Sequence, residues 1–143
     1  MSFTTDLLFV DTNVLLYAVL PEGEAAAKRR RAREILAGPR IAFSVQVLQE
    51  FYTQATRENR NDRLEEAEAS AVVEQLLRRP VQKLIPATVV AAIATSQRYR
   101  ISYWDAAIIE AARELGCARV LTEDLNDGQD YGGVRVENPF RDL

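Results

Sequence analysis

Short, fully apolar runs, spaced apart by helix-length stretches, constrain the fold of this chain more than any other feature. Leu7-Leu8-Phe9-Val10 is a continuous apolar run that stops at Asp11-Thr12-Asn13, the pattern of a buried strand opening into a helix. Ile41-Ala42-Phe43 is a second such run; Val81 to Ile85 reads as a third strand and Arg119-Val120-Leu121 as a fourth. Val134-Arg135-Val136 reads as a fifth, short edge strand. Between the runs, residues 13–20 and 24–37 read as helices, broken at Pro21 and closed by Gly38-Pro39. Ser44 suits the N-cap of a helix over 45–58, Asp62 begins another that ends before Pro80, and Pro86 stands where a helix over 87–98 starts. The spacing is clearest over 103–115, where Trp104, Ala107, Ile108, Ala111, Ala112 and Leu115 share one face and Gly116 supplies a left-handed end. Strands that alternate with helices imply a parallel sheet covered on both faces, an α/β three-layer sandwich.

No repeat, low-complexity tract or Ser/Gly-rich linker divides the 143 residues, so a single domain over 1–143 is expected. The longest apolar stretch, Ile85 to Ala94, is far too short to span a bilayer. Met1 to Phe9 carries no basic segment, which argues against a signal peptide. Cys117 is the only cysteine, so no disulfide forms within one chain and a cytoplasmic setting is expected.

Two absences narrow the chemistry. The chain has no histidine and one cysteine, which excludes His/Cys zinc sites, Ser-His-Asp and Cys-His triads and paired-histidine catalysis. Any chemistry must rest on carboxylates and a hard cation. The net charge of −3 argues neither for nor against nucleic acid: setting aside four clustered acids from 21 leaves 17 against 18 basic residues, most of them phosphate-gripping arginine.

Four acids converge on one edge of the expected sheet. Ligands of such sheets bind beyond the carboxyl ends of the strands. Asp11 lies just past the first strand and Asp124 just past the fourth. Asp105 lies in the first turn of the helix that leads back into the fourth strand, and so at the same edge. Glu50 lies about one and a half turns into the helix after the second strand. Each has a plain alternative: a helix cap for Asp11, a helix-dipole partner for Asp105, a solvated flank for Glu50 and a turn residue for Asp124. Together they are like charges that repel unless a cation or proton neutralises them. A hard divalent ion with oxygen ligands is the simplest solution.

Phe-Val-Asp-Thr-Asn-Val-Leu-Leu-Tyr (9–17) resembles the opening strand and first acid of PIN domains. Ser44 to Phe51, Ser-Tyr-Trp-Asp-Ala-Ala-Ile-Ile-Glu-Ala-Ala (102–112) and Leu-Thr-Glu-Asp-Leu-Asn-Asp-Gly-Gln (121–129) with 134–140 are similar to the remaining segments of VapC-like toxins of that family. The resemblance implies a Mg²⁺- or Mn²⁺-dependent endoribonuclease with Asp11, Glu50, Asp105 and Asp124 as its catalytic and metal-holding acids. It further implies an RNA substrate, a VapB-like antitoxin and a homodimer. Thr12, Asn13 and Thr122 stand beside the acids and are candidates for orienting them or a water. Asp127 is a candidate further ligand, whereas Glu123 is expected to point away from Asp124.

Other features read more plainly. Lys28 to Arg33 is a solvated helix face, with phosphate contact as the lesser reading. Trp104 belongs to the apolar stripe and is expected in the core, although it and Tyr103 are of a type that stacks on bases. Cys117 is a small buried hydrophobe. A haloacid-dehalogenase-like phosphatase is disfavoured because Asn13 stands where its second Asp belongs, and a receiver domain because Pro86 occupies its phospho-acceptor region. A PIN domain with a housekeeping RNA-processing role, or a non-catalytic one that only binds RNA or protein, is the remaining alternative.

Overall fold

The computed structural model describes residues 6–20 and 25–143. Five strands form one parallel sheet: β1 (Leu8–Val10), β2 (Ile41–Ser44), β3 (Val81–Gln82), β4 (Arg119–Leu121) and β5 (Arg135–Glu137), in the order β3-β2-β1-β4-β5. Phe9, Val10, Phe43, Val120 and Val136 are fully buried, because helices cover both faces and leave these strands no solvent side. Losing one of the larger of these, as in Phe9→Ala, costs about 3–5 kcal/mol through transfer and cavity terms. Pairing registers Leu8 with Ile41 and with Arg119, placing β1 at the centre.

The helices are α1 (Thr12–Val19), α2 (Ala26–Leu36), α3 (Val45–Ala55), α4 (Glu66–Leu76), α5 (Pro86–Tyr99) and α6 (Tyr103–Glu114). Asp11 caps α1 through the Thr12 amide, Ser44 caps α3 at Val47, and Ser102 caps α6 at Asp105. Gly116 takes the expected positive φ of 76° after α6. That helix is buried nearly all round, from Ala106 to Ala112; its alanines let both α5 and the sheet approach closely. Cys117 is buried as expected. The expected break at Pro21 and helix start at residue 24 lie outside the described residues. Among the described residues no helix is long and apolar enough to cross a membrane.

Three boundaries differ from expectation. The α4 helix starts at Glu66, not Asp62, because Glu65 and Glu68 form a reciprocal capping box. The third strand is two residues, not five: it pairs only with Phe43 and Ser44 at the sheet edge, after which Leu84 and Ile85 are exposed. The α3 helix ends at Ala55, where the Leu64 N–H donates to the Ala55 carbonyl at 2.8 Å.

Candidate functional site

The strand order reverses between β1 and β4, and that switch point is where an open parallel sheet leaves a crevice beyond its carboxyl ends. Asp11 leaves β1 there, and its amide still bonds Leu121 of β4 at 3.1 Å. Its Oδ1 accepts from the Thr12 amide at 2.7 Å, and its Oδ2 accepts from the Thr122 hydroxyl at 2.9 Å. The Thr122 oxygen in turn accepts from Asn13 Nδ2 at 2.9 Å and from the Asp124 amide at 3.1 Å. A hydroxyl has one proton and two lone pairs, so this one is completely committed and its proton is directed at Asp11. Asn13 Nδ2 also donates to Asp124 Oδ2 at 3.1 Å. The Thr12 hydroxyl donates to Glu50 Oε1 at 2.9 Å. Thr12, Asn13 and Thr122 thereby tie three of the expected acids together.

Asp105 reaches the same place from the first turn of α6. All four carboxylates line one cavity of about 180 Å³, together with Gln46, Gln54 and Trp104. The sequence offers no motif that marks Gln46 and Gln54, but they stand four residues either side of Glu50 on one helical face. Gln46 Nε2 lies 3.4 Å from Glu50 Oε2 and 3.5 Å from the Trp104 carbonyl, bridging α3 to α6.

Electrostatics at the cavity are those of anions held away from water. Burial pushes the Asp11 carboxyl up to about 6, against the pull of its two hydrogen bonds, with Asp124 and Glu50 adding repulsion. Burial also raises Asp105, and Asp124 adds to that rise. Among the described residues, none of the four acids forms an ion pair with lysine or arginine. The Oδ1 of Asn13, in the cavity wall, is buried with no hydrogen-bond partner. An all-oxygen donor set with an orphaned carbonyl and an unneutralised buried carboxylate fits a hard divalent cation. Among the described residues no group of three or more acids is arranged to hold a metal ion. Mg²⁺ does not need one: it binds through one or two carboxylates and keeps waters for the remaining positions.

Other sequence-predicted residues fall elsewhere. Asp127 is not in the cavity wall: its carboxylate accepts from the Asn138 amide at 2.8 Å and from Arg141 at 3.1 Å, and so fastens the closing loop. Those two bonds hold its carboxyl below the usual range. Glu123 does point away from Asp124, bonding Tyr17 Oη at 2.7 Å and Lys28 Nζ at 2.8 Å. The 28–33 run is more structural than a solvated face. Lys28 pairs with Glu123, Arg31 bonds the Pro139 carbonyl and Arg33 the Ala18 carbonyl. Trp104 reverses the expectation of a core residue: it is 64% exposed. At the first turn of α6 it lines the open acid cavity, where helical spacing no longer guarantees cover. Glu110, within the 102–112 segment but not among the expected site residues, is buried with Thr95 and Arg113 as partners.

Comparison with known proteins bears on the family and the fold. The family model described as PIN domain matches residues 8–127. No curated protein matches the chain. Among solved structures, the Mycobacterium tuberculosis toxin VapC20, which cleaves the sarcin–ricin loop, superposes with a TM-score of 0.64 at 20% identity, covering 82% of this chain and 91% of its own. A toxin–antitoxin complex from Klebsiella pneumoniae gives 0.64 at 20% identity, over 94% and 98% of the two chains. DNA-bound VapBC from Salmonella typhimurium gives 0.62 at 21% identity, over 93% and 98%.

Proposed function

The chain belongs to the PIN-domain family, and from that premise we propose that it is a Mg²⁺- or Mn²⁺-dependent endoribonuclease acting as the toxin of a VapBC-like toxin–antitoxin pair. The observation that carries the reading is the cavity: four carboxylates from four separate segments with, among the described residues, no lysine or arginine beside them. Asp11, Asp105 and Asp124 would hold the ion, with Glu50 at the cavity's α3 side. A bound divalent ion supplies charge for the phosphate oxygens and lowers the pKa of water. The chain's own part is orientation. The Thr122 proton and the Thr12 amide hold the Asp11 carboxylate in one plane, and the Asn13 amide holds Asp124. Thr12 and Gln46 orient the Glu50 side chain, which would accept a proton from an attacking water. The test is cleavage of single-stranded or looped RNA with Mg²⁺ or Mn²⁺. Activity is expected to vanish in EDTA and in Asp11→Ala; activity persisting in either would refute the mechanism.

The toxin role is supported by the similarity to toxin–antitoxin assemblies and by the site itself. An acidic cavity attracts an arginine from a partner, which pairs with the carboxylates and occupies the cation's place. Expression of the chain alone is expected to arrest growth, and co-expression with the product of the adjacent gene to relieve it. If wild type and Asp11→Ala are equally harmless alone, the nuclease reading stands without the antitoxin. For the expected homodimer the best-suited surface is α5, where Val90 is 69% exposed and Val89 and Ile93 stand beside it. Val90→Glu should then yield a monomer in light scattering.

A further inference from the structure

The acid cavity has an affinity problem. Its wall carries four carboxylates and, among the described residues, no lysine or arginine. Polyanionic RNA gains nothing there from the chain's own electrostatics, although phosphate contacts ordinarily supply much of the affinity for nucleic acid. A contact indifferent to charge would add to what a bound cation supplies in holding the substrate beside the acids.

One side chain of the wall has that character. Trp104 is 64% exposed, belongs to no core cluster, and adjoins Asp105 in the chain. It is not a loose surface residue. Tyr103, which packs on the small cluster formed by Ala92, Ala106 and Ala107, meets the indole edge-on at 5.0 Å and 82°. The Trp104 carbonyl lies 3.5 Å from Gln46 Nε2, itself bonded to Glu50. The indole is thus propped on one side by Tyr103, and the backbone that carries it is tied to the acid network, while most of the residue's surface stays open.

We propose that Trp104 is a base-stacking platform that seats an unpaired nucleobase of RNA adjacent to the phosphate at the carboxylates; the proposal rests on the nuclease reading above. Any base offers a π-face, so the contact selects single-stranded or flipped-out nucleotides over duplex rather than one sequence. Being uncharged, it contributes the same at low and high salt, unlike a phosphate contact.

Trp104 is the only tryptophan in the chain, so its fluorescence reports the contact directly. The Asp11→Asn protein, which binds without cutting, would be titrated in Mg²⁺ with a short single-stranded RNA and with an abasic oligomer of equal length and charge. Strong quenching is expected with the RNA and little with the abasic chain. Kinetics on the Asp11 protein supply the second arm. Trp104→Leu should lower kcat/KM roughly ten- to a hundredfold, mainly through KM and equally at low and high salt, and Trp104→Phe should recover most of it. Binding of RNA with unchanged fluorescence would overturn the platform and leave the nuclease reading intact. So would quenching that follows protein concentration instead of RNA, which would make Trp104 a protein contact. If no RNA is bound or cut by any of these proteins, the nuclease reading falls and the platform with it.

Discussion

Two neighbouring residues, Glu123 and Asp124, divide the acids of this molecule into two populations. Glu123 meets Lys28 Nζ at 2.8 Å, while Asp124 turns to the cavity and accepts from the neutral Asn13 amide. The same division holds more widely. Asp127 and Asp142 lie against Arg141 and Arg31, and hydrogen bonds hold both carboxyls below the usual range. Asp11 and Asp105 have no such partner among the described residues, and burial lifts both above it. The chain had arginines enough to pair these acids too, since it spends several on backbone carbonyls, as Arg33 on Ala18 and Arg79 on Gly38. Acids that fasten the fold come with their own cations. Acids left in want of one mark where an outside cation, or an arginine from a partner, is received.

The largest expected contrast between the two populations is in catalysis. Asp11→Ala or Asp105→Asn should lower RNA cleavage by about 10²–10⁴-fold, the kinetic equivalent of several kcal/mol of lost charge stabilisation. Asp127→Asn and Asp142→Asn should stay within about twofold when assayed well below the melting temperature. Comparable losses from both pairs would erase the distinction.

Stability should divide the populations next. The Asp11 carboxyl stands at about 6 in the folded chain against an ordinary value of 3.8, so the folded state holds this proton more tightly than the unfolded one. The sign follows from linkage: stability is greatest below about 4 and falls as pH rises through 6. The full difference amounts to about 3 kcal/mol at about 1.4 kcal/mol per tenfold. Millimolar Mn²⁺ or Mg²⁺ at pH 7.5 should therefore raise the melting temperature, since it binds only the folded state. Asp11→Asn should flatten the pH dependence and blunt the metal response. Its gain at neutral pH will fall short of the full amount: an amide NH₂ in place of either oxygen would face a Thr122 hydroxyl already accepting two donors, or the Thr12 amide. A metal-free melting curve that rises from pH 4 to 7 would contradict the assignment.

How much of this is legible in the sequence depends on the distance over which each feature is decided. Strands β1, β2 and β4 and helix α6 are readable because an apolar run and a local cap, such as Ser44 or Ser102, specify them within a few residues. The convergence of the acids is readable because a parallel sheet puts every strand's carboxyl end on one edge. The two populations of acids are not. Lys28 finds Glu123 across 95 positions and Arg31 finds Pro139 across 108, and no local pattern encodes such pairings. Trp104 defeats the pattern because helical periodicity says which face a residue is on, not whether an open cavity lies beside it. The α4 start differs for a local reason: Asp62 is the better single cap by residue type, but the Glu65–Glu68 pair satisfies two amides reciprocally and wins.

The smallest expected effect is the most direct test, because it compares the two chain neighbours. Lys28→Met keeps the aliphatic stem over the Tyr17 and Phe140 rings, which the Lys28 ammonium approaches at 5.0 and 5.6 Å, but removes the charge. Glu123 would keep its bond from Tyr17 and lose its cation. For a partly exposed pair with ring contacts, the cost should be about 1–2 kcal/mol, shrinking as salt rises. At this chain length that is about 3 °C of melting temperature per kcal/mol, and the response to Mn²⁺ should be unchanged. Asp124→Asn should behave in the opposite way. Its amide oxygen can still accept from Asn13, while the repulsion it exerts on Asp11 and Asp105 disappears, so metal-free stability should hold or rise and the Mn²⁺ response should weaken. The pair of variants thus separates two uses of adjacent carboxylates, one closed by a lysine of the chain and one left open. If both lower stability alike and neither alters the metal response, Asp124 is another structural acid, and the ion would have to be held by Asp11, Glu50 and Asp105 without it.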